Sequence, residues 1–147
     1  MATRRLTPAE LGIDAVNLKV TTDNNSNLLD VRNAFAFTAI VDIAETGSPS
    51  AGAADLIVDI MTSDGVTETF SHTIDTGIDI QTNGLKETIT WGHGLTAAVV
   101  SSGTAGTLST TPSVLANVDF MRLNLKASAA NNGTTCTGSV TLILEEI

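Results

Sequence analysis

VDFMRLNLKASAANNGTTCTGSVTLILEEI, residues 118–147, sets two runs of alternating apolar residues on either side of Asn132-Gly133. This dipeptide suits a two-residue hairpin turn, which needs positive φ at both central positions. With Asn131 facing Thr134, the register pairs Ala129 with Cys136, Leu125 with Val140, Leu123 with Leu142 and Met121 with Leu144. The other face then pairs Lys126 with Ser139, Asn124 with Thr141 and Arg122 with Ile143. A slip of one residue mixes the faces, so turn and pattern agree on one register. Each buried Leu, Met or Val is worth roughly 1.5–3 kcal/mol. A lone hairpin cannot bury that face, so a second sheet must cover it.

Working outward, the rest of the chain also reads as strands and turns. Phe35 to Ile43 puts Phe35, Phe37, Ala39, Val41 and Ile43 on one face and is expected to be a central strand. Val16, Leu18 and Val20 alternate with Asn17, Lys19 and Thr21. Residues 45–54, with Gly47, Pro49 and Gly52, read as a loop. A second hairpin spans Asp55 to Ile74 and turns at Ser63-Asp64-Gly65. A two-residue loop sets Asp59 beside Phe70. A three-residue loop with Gly65 in the left-handed bulge position sets Val58 beside Phe70 and Ile60 beside Glu68, and is preferred because it groups Leu56, Val58, Ile60, Val66 and Phe70. Ile78 and Ile80 suggest a short strand. Leu85 to Trp91 is another, with Leu85, Ile89 and Trp91 on its apolar face, and Ala97 to Val100 a further short one. Residues 101–117 carry no charge and read equally as a surface loop or as a packed contact in an assembly.

The first residues read differently. Thr7-Pro8-Ala9-Glu10 is a capping box, Leu6 and Leu11 can form a hydrophobic staple, and Gly12 stops the helix after one turn. So short a helix must dock on something, either its own domain or a neighbouring subunit. The chain divides into an N-terminal arm, residues 1–14, and one β-sandwich domain, residues 15–147. The fold class is all-β: an antiparallel β-sandwich of about eight strands, jelly-roll-like or Greek-key.

Composition narrows the function by exclusion. The net charge of −9 disfavours nucleic acid and anionic membrane as partners. No run approaches the ~20 apolar residues of a spanning helix, and Met1-Ala2-Thr3-Arg4-Arg5-Leu6 lacks the apolar core of a secretory signal, so synthesis in the cytoplasm is expected. The sequons at Asn24 and Asn132 are then read as turns. Cys136 is the one cysteine, which leaves no intrachain disulfide, and its place on an apolar face makes it a buried, inert thiol.

No catalytic, cofactor-binding or metal-ligating set stands out. His72 and His93 lack ligand spacing to each other or to Cys136. Asp23-Asn24-Asn25-Ser26-Asn27 opens like a calcium loop, but Leu28 stands where the loop needs Gly and Ala34 where it needs a bidentate Glu. Paired carboxylates such as Asp55 and Asp59 read as a solvated face. With no Tyr and Trp91 the one tryptophan, sugar-binding platforms are missing, and no cofactor is implied.

In general make-up, across its whole length, the chain resembles bacteriophage head decoration (cement) proteins: acidic, rich in Thr, Ala and Gly, with a short arm and an uncharged loop. The resemblance implies a homotrimer on the capsid exterior, whose partners are its own copies and the major capsid protein. Candidate contacts are Arg4, Arg5 and Leu6 of the arm and Leu108 of the uncharged loop. Two other readings stay open: a tail-tube or head–tail joining subunit, and a monomeric ligand-binding β-domain or cryptic hydrolase. Removal of residues 1–12 is expected to separate them, by abolishing assembly while the sandwich still folds.

Overall fold

The computed structural model describes residues 1–92, 97–108 and 118–147. Eleven strands and one helical turn are assigned there: β1 (Ala2–Leu6), α1 (Pro8–Leu11), β2 (Val16–Asn17), β3 (Leu29–Asp30), β4 (Ala34–Thr46), β5 (Ala53–Met61), β6 (Glu68–Asp79), β7 (Lys86–Gly92), β8 (Ala98–Ser101), β9 (Thr107–Leu108), β10 (Phe120–Ala129) and β11 (Thr135–Glu146). They form two antiparallel sheets. One runs β1-β11-β4-β7-β8, with β2 also on β11, and the other runs β3-β10-β5-β6-β9. Removing the short edge strands β8 and β9 leaves β1-β11-β4-β7 over β3-β10-β5-β6. That interleaving of early with late strands is the jelly-roll order.

This order overturns the C-terminal hairpin. β10 hydrogen-bonds to β3 and β5, with Leu123 opposite Val58, while β11 hydrogen-bonds to β1, β2 and β4, with Leu142 opposite Ala39. The two strands lie in different sheets and meet face to face through the core. A Cβ on Gly138 would come within 2.7 Å of Leu125 Cδ2. The inward residues are still those the alternation marks, since Met121, Leu123, Leu125, Val140, Leu142 and Leu144 are all fully buried. Neither Asn132 nor Gly133 has positive φ. Gly133 is instead required by a close approach, because any Cβ there would strike the carbonyl oxygen of Thr46. Asn132 Oδ1 accepts from the N–H groups of Ser50 and Ala51, so the β10–β11 and β4–β5 crossings are tied together.

The β5–β6 hairpin forms as expected, but in another register. Ile60 faces Phe70, Val58 faces His72 and Met61 faces Glu68. The reason is Asp64. Its carboxylate accepts from the N–H groups of Val66 and Thr67 and from the hydroxyls of Thr62 and Thr67, which closes a four-residue loop with Gly65 left-handed at φ 72°. Those four donors hold the Asp64 carboxyl far below the usual carboxylate range, with the Thr62 hydroxyl contributing most. Val66 therefore sits in the loop, 81% exposed, rather than on the apolar face. Phe70 keeps to the face of Val58 and Ile60 but is half-exposed.

The central-strand expectation holds. β4 lies between β11 and β7 and buries Phe37, Ala39, Val41 and Ile43. Ala98–Ser101 confirms the short strand near Ala97 to Val100, whereas Ile78 belongs to the end of β6. Strand 16–20 shrinks to β2, because Val20 is exposed.

The capping box is complete. Thr7 Oγ1 accepts from Glu10 N, Glu10 Oε1 accepts from Thr7 N, and Gly12 ends the turn at φ 88°. β1 and β2 both pair with β11, and Val140 N donates to the carbonyl of Ile13 between them. The chain thus leaves the sheet edge at Leu6, makes one helical turn, and rejoins the same edge at Val16. Leu11 and Ile13 are fully buried in the core, so this turn docks on the chain's own sandwich.

Candidate functional site

Five of the seven Lys and Arg side chains are held in intramolecular ion pairs: Arg4 with Glu146, Arg32 with Asp30, Lys86 with Asp42, Arg122 with Asp59 and Glu68, and Lys126 with Asp23. Lys19 Nζ donates to Thr134 O. Arg5 remains as the exposed cation without a polar partner among the described residues. The surface offered to a partner is accordingly acidic, apart from one basic point on β1.

The predicted contact residues fall at opposite margins of the sandwich. Arg4 stands with its Nε 3.1 Å from Glu146 Oε1, an ion pair out of line for a hydrogen bond, while its Nη2 donates to Asp30 O of β3. It therefore bridges the edges of the two sheets rather than reaching outward. Leu6 packs on the core. Leu108 lies on β9, opposite Asp75 at the other edge of the second sheet, and also packs on the core. The fold does not bring Leu108 together with Arg4, Arg5 and Leu6. Of the uncharged segment, residues 109–117 lie outside the described residues, as does His93.

The other chemical candidates resolve into structural roles. Asp55 Oδ1 accepts from Thr76 Oγ1 and Gly77 N. Asp59 accepts from Ser71 and from Arg122, so these two acids belong to separate networks. His72 stacks on Phe70 with ring centroids 5.9 Å apart. Burial, and beside it the charge of Glu45, push the Cys136 thiol up to about 11, which leaves it without thiolate reactivity near neutral pH. The Asp23–Asn27 run lies along β10: Ser26 Oγ accepts from Leu123 N, and Asn124 Nδ2 donates to Asp23. Among the described residues no three His, Cys, Asp or Glu converge as a metal site, and no helix is long and apolar enough to cross a membrane. An open cleft of about 520 Å³ is lined by Pro49, Gly52, Asp79, Gln81, Thr82 and Thr104. Its acid, Asp79, is already committed to Gln81 N and Thr82 Oγ1.

The jelly-roll frame can be set against known proteins. No family model matches the chain, and no curated protein matches it. Solved structures do match. The fold is shared with a viral capsid protein. A point mutant of the VP2 protein of infectious bursal disease virus, in derived T=1 particles, aligns over 97% of this chain and 31% of its own at TM-score 0.51 and 10% identity. The VP2 subviral particle of the same virus aligns over 97% of this chain and 32% of its own, at TM-score 0.47 and 11% identity. The chain thus spans about a third of the length of those capsid chains.

One pairing escaped sequence reading. Asp75 of β6 and Glu87 of β7 are both fully buried between the sheets. Glu87 occupies the inward alternation Leu85, Glu87, Ile89, Trp91, a visible signal because an acid there breaks an apolar stripe. Asp75 gave no such signal. One extra residue on β6, opposite the step from Leu56 to Ile57, turns both Ile74 and Asp75 inward.

Proposed function

We propose that the chain is a structural virion protein, a capsid decoration or cement protein that stabilises a shell through homotrimeric contacts on its exterior. The observation that carries the reading is the jelly roll, aligned over nearly the whole chain with a capsid protein. Fold alone does not give function, and the make-up of the chain adds the rest. Its outward acidity keeps it off nucleic acid and favours a basic partner surface on the major capsid protein. The strand edges at β1 and β8, unpaired among the described residues, offer backbone donors and acceptors to neighbours. Arg5 on β1 supplies one charge of opposite sign to the chain's own surface. Apolar contact repeated across several shell subunits resists their separation, and multivalent attachment multiplies weak contacts.

The test is co-sedimentation with empty shells of the major capsid protein from the same virus. Removing residues 1–12 would also remove Leu11 from the core, so the informative truncation stops at residue 5. Full-length chain is expected to sediment with shells saturably, and the truncated chain to lose at least tenfold in affinity while keeping its β circular dichroism. Absence of binding by the full-length chain overturns the decoration reading. Equal binding by both chains overturns the role of β1.

A further inference from the structure

Asp75 and Glu87 carry more information than their burial. Neither oxygen of Asp75, nor Oε2 of Glu87, meets a hydrogen-bond donor among the described residues. Glu87 Oε1 accepts from Gly106 N at 3.1 Å. A Cβ on Gly106 would collide with Asp75 Oδ1, so the loop between β8 and β9 is closed directly onto the acid. Among the described residues no Lys or Arg forms an ion pair with either acid. From β5, Asp55 adds a second negative charge. Asp79, further along β6, is taken up by Gln81 and Thr82. Lys86 of β7 pairs with Asp42 of β4. β8 and β9 hold no charged residue.

Two ionised carboxylates in such a site would be unscreened and unsolvated. With one proton between them, repulsion becomes a charge-assisted O–H···O hydrogen bond. Burial first, then the hydrogen bond to Glu87 and the charges of Glu87 and Asp55, push the Asp75 carboxyl up to about 9.

We propose that Asp75 and Glu87 share one proton and act as a pH-sensitive latch, holding the β8–β9 flap across one end of the sandwich until alkaline solution removes that proton. Among the described residues β9 pairs with β6 at Asp75–Leu108 and Thr76–Thr107, and β8 is a four-residue strand at the sheet edge. Letting water reach the second carboxylate requires that this pairing and the Gly106 contact release. The direction follows from linkage: the folded state holds a proton that the unfolded chain gives up near pH 3.8. The contribution is complete below that pH and is lost as pH rises towards 9.

Two measurements on the full chain test this. The infrared carbonyl band of a protonated carboxylic acid is expected at pH 7 in the wild type and absent in Asp75→Asn. Amide hydrogen exchange, corrected for intrinsic rates, is expected to rise about tenfold or more across residues 98–108 between pH 6 and pH 9, the equivalent of one pKa unit. β10 and β11 are expected to stay protected. Asp75→Asn and Glu87→Gln each supply a permanent N–H donor, so both should abolish the rise. Should one variant not fold, the other decides. Lack of a protonated-acid band at pH 7, or the same exchange profile in wild type and variant, overturns the latch.

Discussion

Trp91→Ala is expected to cost about 4 kcal/mol and to lower the melting temperature by roughly 10 °C. Trp91 is fully buried at the end of β7 and stacks on Phe37 with ring centroids 5.2 Å apart and planes 11° from parallel. Both rings sit on central strands of one sheet, with Phe37 directly opposite Trp91 in the β4–β7 register. Truncation removes a large apolar area and strips Phe37 of its partner. The backbone cannot close the hole. At Gly92, the next residue, the chain already lies so close to β4 that a Cβ would stand 2.6 Å from Phe35 O. Because Trp91 is the single tryptophan, unfolding of the variant must be followed by circular dichroism. A loss below about 2 kcal/mol would show that the core relaxes around the cavity, contrary to this packing.

Arg122→Ala is expected to cost about 3 kcal/mol, an exceptional amount for a charged residue on a strand. Arg122 Nη2 lies 3.0 Å from Asp59 Oδ2, while Asp59 is only 3% exposed and takes its other bond from Ser71 Oγ at 2.7 Å. Glu68 stands 3.6 Å from the same guanidinium nitrogen. Removing the guanidinium leaves a buried anion with one neutral donor. Its partial exposure keeps the penalty below that of a fully enclosed pair. The double variant Asp59→Asn/Arg122→Ala should recover at least about 1 kcal/mol of that loss, because no buried charge is then stranded. Chemical denaturation of the four proteins in the cycle checks this. Additive losses would mean that the two groups act independently.

What the sequence made legible was which side chains turn inward. It did not disclose which strands lie side by side. Met121, Leu123 and Leu125 on β10, and Val140, Leu142 and Leu144 on β11, face the core whether the two strands pair edge to edge or stack across a sandwich. Alternation has the same period in both cases. Asn132-Gly133 then tipped the reading towards a hairpin, although Gly133 is there for Thr46 O. The capping box at Thr7 and Glu10 was legible because its chemistry is local. The β5–β6 hairpin was legible as an element but not in register, since the four donors that Asp64 collects lengthen the loop. Asp75 stayed hidden because the extra residue on β6 breaks the alternation beside it. The interface candidates were the least legible. Arg4 bridges two sheet edges and Leu108 packs against the core, neither of which local sequence discloses.

Self-association of the jelly-roll subunit is tested most directly by its mass in solution. Light scattering on the full chain, over a hundredfold range of concentration at neutral pH, is predicted to give three times the 15.2 kDa chain mass. A monomer at every concentration would contradict it.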